Sequence, residues 1–184
     1  MDTMKLYRFS PIQNQDELLE AIRYIHFACY KLCKQSFGRY LPNAGNIGVF
    51  CHYEEEYTRL VEMQKQMTKS SDDPEQKYFE LHEPIVVPAR DDVPETTYTH
   101  LYIRRFDIYR AQVGDLDFYL EQAEYDKLKQ SLIDGENIKG ARIFPRNDLD
   151  MIELYDPDID ALGYVNPNAA NEWVKMRLSR GAEL

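Results

Sequence analysis

The residues with most to offer chemically are Asp115 and Asp117, separated only by Leu116. On an extended strand, residues i and i+2 project to the same face, so these carboxylates stand side by side. Such a pair binds Mg²⁺ when phosphates complete the shell. Repulsion between the two charges also raises one pKa, which makes the pair a candidate acid/base group wherever it lines a pocket. The Gly-Ser turn that a nucleotidyltransferase requires upstream is absent. A solvated strand face is the plainer account of the same spacing. His26, Cys29 and Cys33 fall within two turns of one helical stretch, and Cys51-His52 follows. Cys and His together can hold Zn²⁺. No Cys-x-x-Cys pair occurs, however, and buried Cys ordinarily acts as a small hydrophobe; a core role is expected. His82 is followed by Glu83-Pro84, and His100 by Leu101-Tyr102. Neither supplies the His-x-Ser/Thr of a two-histidine phosphoesterase. A Gly-x-Ser-x-Gly elbow, a phosphate-binding glycine loop and a dinucleotide fingerprint are all missing. The acidic run Asp148, Asp150, Asp156, Asp158 and Asp160 lacks the glycine and terminal Glu of a calcium loop, so it reads as a solvated turn.

The elements that position these residues follow from periodicity. Residues 15–37 form the clearest helix, capped at Asn14 or Asp16 and ended near Gly38. Residues 46–52 alternate as a strand, with Ile47, Val49 and Cys51 on one face and Asn46, Gly48, Phe50 and His52 on the other. An acidic turn at Glu54 opens a second helix, which stops near Lys69. Residues 77–87 are extended. Residues 98–105 alternate again, placing Tyr98, His100 and Tyr102 opposite Leu101 and Ile103. Residues 112–120 are the best strand, with Asp115, Asp117 and Tyr119 opposite Leu116, Phe118 and Leu120. A helix over 121–132, short strands over 141–144 and 149–155, and a tail helix carrying Trp173, Val174 and Met176 complete the reading.

Two stretches repeat this order. Residues 45–105 and 112–166 each run strand, acidic helix, then strands, and their last strands carry His100-Leu101 and Glu153-Leu154. The segment Met151-Ile152-Glu153-Leu154-Tyr155-Asp156-Pro157-Asp158 closes the second copy. The pattern resembles the vicinal oxygen chelate superfamily, which includes glyoxalase I, bleomycin-resistance proteins and extradiol dioxygenases. The resemblance covers residues 45–166. It departs from the superfamily wording in placing Asp-Pro-Asp after the Glu, with Ile159 where Gly is usual. It implies an α+β fold in which two similar strand-helix-strand modules pair their mixed sheets into a cleft. The expected organisation is an N-terminal extension with one long helix (1–40), two βαββ-like modules (41–108 and 109–166) and a C-terminal tail (167–184), all in one compact domain. Carried over residue by residue, the metal positions fall on Asn46, His100, Asp115 and Glu153. Asn46 departs from the usual His or Gln; it suits a harder cation better than Zn²⁺ or Fe²⁺. The same resemblance gives Glu153 and Asp115 the catalytic roles, in a lyase, isomerase or dioxygenase using one divalent metal. Phe50, Tyr98, Tyr102 and Tyr119 would wall the pocket around a small polar molecule.

Composition limits the alternatives. The chain has 184 residues, 43% of them hydrophobic, and a formal net charge of −10. That is enough apolar material for one core. The negative charge disfavours nucleic acid and anionic membranes as partners. Three cysteines make an odd number, the N-terminus lacks an apolar signal region, and no apolar run reaches the ~20 residues of a membrane span, so a cytoplasmic setting is expected. A homodimer is compatible with paired modules. A rival expectation, from a different class, is an acidic non-enzymatic interaction protein: an inhibitor or nucleic-acid mimic that fills a basic partner surface.

Overall fold

The computed structural model describes residues 6–145 and 150–170. Seven strands and three named helices follow one another as α1 (Gln15–Phe37), β1 (Asn43–Phe50), α2 (Glu54–Met67), β2 (Phe79–Val87), β3 (Thr96–Arg104), β4 (Gly114–Leu120), α3 (Gln122–Ile133), β5 (Ala141–Phe144), β6 (Met151–Leu154) and β7 (Leu162–Pro167). The expected tail helix around Trp173 lies outside the described residues.

Each helix is set by its ends. Asn14 accepts the Glu17 N–H at 2.9 Å at the start of α1, and Gly38 ends it in the left-handed region at φ 68°, donating to Lys34 O. Glu54, Glu55 and Glu56 occupy the first turn of α2, where the helix dipole favours negative charge. Glu56 is buried and reaches back to the His52 N–H at 2.8 Å, much as a capping-box glutamate does.

The strands form one sheet in the order β2-β3-β1-β4-β7-β6-β5. In the first half, β1 lies parallel to β3. In the second half, β4 lies parallel to β7. Each half therefore sets its first strand beside its last, and the halves join through the antiparallel β1–β4 pair at the centre. The fold is α+β, with a mixed sheet spanning both halves, as the repeated order of elements implies. One of the two edge strands, β2, carries Pro84, and its register with β3 shifts between Glu80 and Ile85.

Alternation gives the sheet an apolar face and a polar one. Ile47, Val49, Leu101, Ile103, Leu116, Phe118, Ile152, Leu154 and Val165 share one core with Leu18, Ile22, Ile25 and Cys29 of α1, Leu60 of α2 and Tyr125 of α3. Helix α1 crosses β4 so closely that a Cβ on Gly114 would stand 2.3 Å from Ile25 Cδ1. Cys29, Cys33 and Cys51 are free thiols inside this core, consistent with their reading as small hydrophobes.

Two features differ from the pattern reading. The last strand of the second half is β7, not the strand carrying Glu153; β6 is the next strand out. Tyr98 is not on the polar face. It is fully buried in the core and hydrogen-bonds His26 Nδ1 at 2.6 Å and Asn43 Nδ2 at 3.3 Å. Over the stretch of β3 between His100 and Tyr98, where the β2–β3 pairing also shifts register with the extra residues on β2, the period-2 alternation breaks, and Tyr98 shares the core face with Leu101 rather than the polar face with His100.

Candidate functional site

The polar face of the sheet holds the proposed chemistry. Asn46, Gly48 and Phe50 project from β1, and Asp115, Asp117 and Tyr119 from β4. On β7 the same face carries Tyr164 and Asn166; on β6 it carries Glu153; on β3 it carries His100 and Tyr102. Among the described residues no helix packs here, yet these groups are withdrawn from water. Asn46 is 2% exposed, Asn166 4%, Asp117 6% and Asp115 8%. Tyr78, just before β2, contributes to the cover. It hydrogen-bonds Asp117, and its ring centroid lies 5.3 Å from that of Tyr102.

Asp115 is held across the β1–β4 seam. Its partner in the register is Gly48, and a Cβ on Gly48 would stand 2.1 Å from Asp115 Oδ1. Glycine at 48 thus gives the carboxyl its space. Burial, followed by the charge of Asp117, pushes Asp115 up to about 8; Arg104, Arg110 and a hydrogen bond with the Gly48 backbone pull the other way. The Tyr164 hydroxyl is raised by burial first, then by Asp115 and Glu153. Tyr78 is raised by burial and by both aspartates. Among the described residues four buried side-chain oxygens have no hydrogen-bond partner: Asn46 Oδ1, Asp115 Oδ1 and Asn166 Oδ1 on this face, and Gln76 Oε1.

The expected metal positions are brought together only in part. Asn46 faces His100 in the β1–β3 register, and Asp115 lies one strand further on. The His100 ring is 2.9 Å from Thr99 Oγ1 through Nδ1. Glu153 is two strands beyond Asp115, with β7 between them. Both of its oxygens are engaged. Oε1 accepts from Arg142 Nε at 2.8 Å and from Nη2, and Oε2 accepts from the Tyr164 hydroxyl at 3.1 Å. Among the described residues no group of three or more His, Cys, Asp or Glu side chains is placed to hold an ion. The four residues therefore do not make a fitting shell for a divalent metal.

Of the expected pocket walls, Phe50, Tyr102 and Tyr119 lie on the polar face, and Arg104 and Arg110 lie over the Phe50 ring at 4.7 and 5.8 Å. Tyr98 does not. Tyr78, Tyr164, Asn166 and Arg142 were not expected at the site. The alternation in Leu162-Gly163-Tyr164-Val165-Asn166 would have revealed two of them, because it places Tyr164 and Asn166 on one face.

A second buried polar cluster sits apart from this face. Ser10 Oγ lies 2.6 Å from His52 Nδ1 and donates to Glu56 Oε1 at 2.9 Å; Glu56 Oε2 accepts the Ile12 N–H at 2.6 Å. His52 Nε2 lies 3.1 Å from the Gln112 carbonyl, and Tyr7 stacks on the imidazole. The members are those of a hydrolytic triad, but the carboxylate bonds the serine rather than the imidazole. All three side chains are fully buried, so the cluster fastens the N-terminal segment to β1 and α2.

No family model and no curated protein sequence matches the chain. Similar solved structures include a structural-genomics protein, EC4020, at TM-score 0.57 and 17% identity, covering 88% of this chain and 91% of that one. They also include a Streptomyces coelicolor methylmalonyl-CoA epimerase in complex with 2-nitronate-propionyl-CoA, at TM-score 0.31 and 14% identity over 69% of this chain and 99% of that one. A methylmalonyl-CoA epimerase in complex with methylmalonyl-CoA and NH4+ scores 0.32 at 15% identity over 70% of this chain and 97% of that one. Likeness at such identities is one of fold, and it is the fold that this chain shares with EC4020.

Proposed function

We propose that the polar face of the sheet, at the seam between the two halves, binds a small polar molecule in the manner of a glyoxalase-like protein, with Asp115 as its acid/base group. The observation that carries this reading is the burial of Asn46, Asp115, Asp117 and Asn166 on a face over which, among the described residues, no helix packs. Burying polar groups costs free energy unless they are paired. A sheet that needed only stability would carry apolar side chains there, as its other face does. Asp115, pushed up to about 8, keeps its proton at neutral pH and can hand it to a bound molecule or take it back. Proton transfer of that kind is the step shared by lyases and isomerases. Glu153, tied to Arg142 and Tyr164, serves better to fix the wall of the site than to transfer a proton.

The resemblance to vicinal oxygen chelate proteins implies a divalent metal, which would polarise a substrate oxygen. Asn46 and Asp115 would be its donors on the first strands, but the shell is incomplete, so no step is assigned to it. The test is a magnetic-resonance screen of small polar compounds against ¹⁵N-labelled protein. Binding is expected to shift signals of Asn46, Tyr102, Asp115, Tyr164 and Asn166. Compounds that shift only signals of α1–α3, or none at all, would refute the reading.

A further inference from the structure

Helix α1 and the turn that precedes β3 enclose a hollow of about 290 Å³, which shares no residue with the polar face. We infer that this hollow binds a small organic carboxylate with an apolar body. The turn is well fixed. The Arg90 N–H donates to Val93 O at 3.1 Å and the Val93 N–H to Arg90 O at 3.0 Å, leaving Asp91 and Asp92 at the tip. Asp91 takes a left-handed φ of 56°, which Asp tolerates in tight turns. Asp92 ties the tip down, accepting from the Tyr40 hydroxyl at 2.9 Å and from Lys34 Nζ, on α1, at 3.3 Å. The space between turn and helix is therefore held open by the fold. Its size lies near the lower end of small-molecule sites, which run from roughly 300 to 1,000 Å³.

The charges of the walls select the ligand. Lys31, Lys34 and Arg90 face Asp91 and Asp92 around the hollow, three cations against two carboxylates, in a chain whose net charge is −10. Lys34 is engaged by Asp92, whereas among the described residues Lys31 and Arg90 have no ion pair. The Arg90 guanidinium stands 3.6 Å from the centroid of the Phe27 ring. Stacking of that kind holds a guanidinium in place and leaves its N–H edge free to take a carboxylate through two parallel bonds. Burial, followed by the charge of Arg90, lowers His26 to about 4, so the imidazole next to Phe27 stays neutral at pH 7 and adds no further cation. One negative charge balances the excess of one. A doubly charged phosphate would exceed it beside Asp91, and an ammonium would add to it. Phe27, Tyr40 and Val93 are half-buried and give the rest of the ligand an apolar surface.

The experiment titrates ¹⁵N-labelled wild-type protein at pH 7 with sodium benzoate, benzamide, benzylammonium chloride and sodium phosphate at constant ionic strength. The backbone signals of Lys31, Arg90, Asp91 and Val93 and the Arg90 Nε–H signal are followed. Benzoate should shift them saturably, with half-saturation on the order of millimolar for so small a probe. Benzamide has the same ring and shape without the charge, and it should bind at least about tenfold more weakly. Arg90→Gln should weaken the benzoate response roughly tenfold, and Lys31→Gln about threefold. Lys65→Gln, the same loss of charge on α2, should leave it unchanged. The wild-type comparison among probes stands even if a variant does not fold. An equal response to benzamide, a response to phosphate or benzylammonium in place of benzoate, or a loss in Lys65→Gln as large as in Arg90→Gln would each overturn the inference. So would silence of these signals toward all four probes.

Discussion

Replacing Asp115 with Asn removes one buried charge while keeping shape and size nearly constant, so its effect on stability reads the electrostatics of the site directly. The ordinary aspartate value is 3.8, and in the folded protein Asp115 is pushed up to about 8, first by burial and then by Asp117. Between those values the folded protein holds the proton and the unfolded chain has released it. The native state binds more protons across that window, so stability falls as pH rises from about 4 to about 8. The whole gap corresponds to a ceiling of roughly 6 kcal/mol at about 1.4 kcal/mol per tenfold. Because the charge of Asp117 supplies part of that push, burial of Asp115 alone accounts for only part of the gap. The expected gain for Asp115→Asn is therefore about 2–4 kcal/mol at pH 9, shrinking to nothing at pH 4, where both side chains are neutral. Urea unfolding of wild type and variant, followed by circular dichroism at several pH values between 4 and 9, measures the difference. A variant no more stable than wild type at pH 9, or two stability profiles that run parallel across the range, would refute the reasoning.

Other perturbations test other parts of the structure. Gly48→Ala puts a Cβ where Asp115 Oδ1 lies, 2.1 Å away, and should cost about 1–3 kcal/mol in urea unfolding. Most of that loss should vanish when Asp115→Ala is added, as a double-mutant cycle would show. Tyr98→Phe removes the hydroxyl bonded to His26 and Asn43; unfolding should register about 1–2 kcal/mol, while any ligand of the polar face binds unchanged by calorimetry. Glu56→Gln weakens bonds to Ser10 Oγ and to the Ile12 and His52 N–H groups and should lower stability by about 2–3 kcal/mol, with faster amide exchange at Ile12 as the local signature.

The parts of the fold that were legible in the sequence are those set by local chemistry. Asn14 and Gly38 mark the ends of α1 because capping depends on neighbouring residues alone. The alternation around Leu116 gives β4 and places Asp115 beside Asp117 for the same reason. What was not legible depends on contacts between distant segments. Tyr98 lies in the core because the alternation of β3 breaks between it and Leu101, at irregular pairings with the neighbouring strands that nothing in the residues of β3 marks. Strand β7 was obscured by Gly163, Asn166 and Pro167, which individually disfavour strands, although its pairing with β4 and β6 makes it the ninth named element's inner neighbour in the sheet. The role of Glu153 changed through Arg142, eleven residues earlier, which only the β5–β6 pairing brings alongside.

The rim of the sheet at β2 has its own meaning. An outer strand normally offers a row of free N–H and C=O groups to any passing chain, and this is how many sheets grow into fibres. Pro84 has no N–H to give, and the irregular stretch between Glu80 and Ile85 disturbs the regular ladder beside it. With Glu80, His82 and Glu83 exposed nearby, the margin offers an intruding strand both charge and missing donors. The irregular stretch opposite Tyr98 thus belongs to a border that discourages templated aggregation.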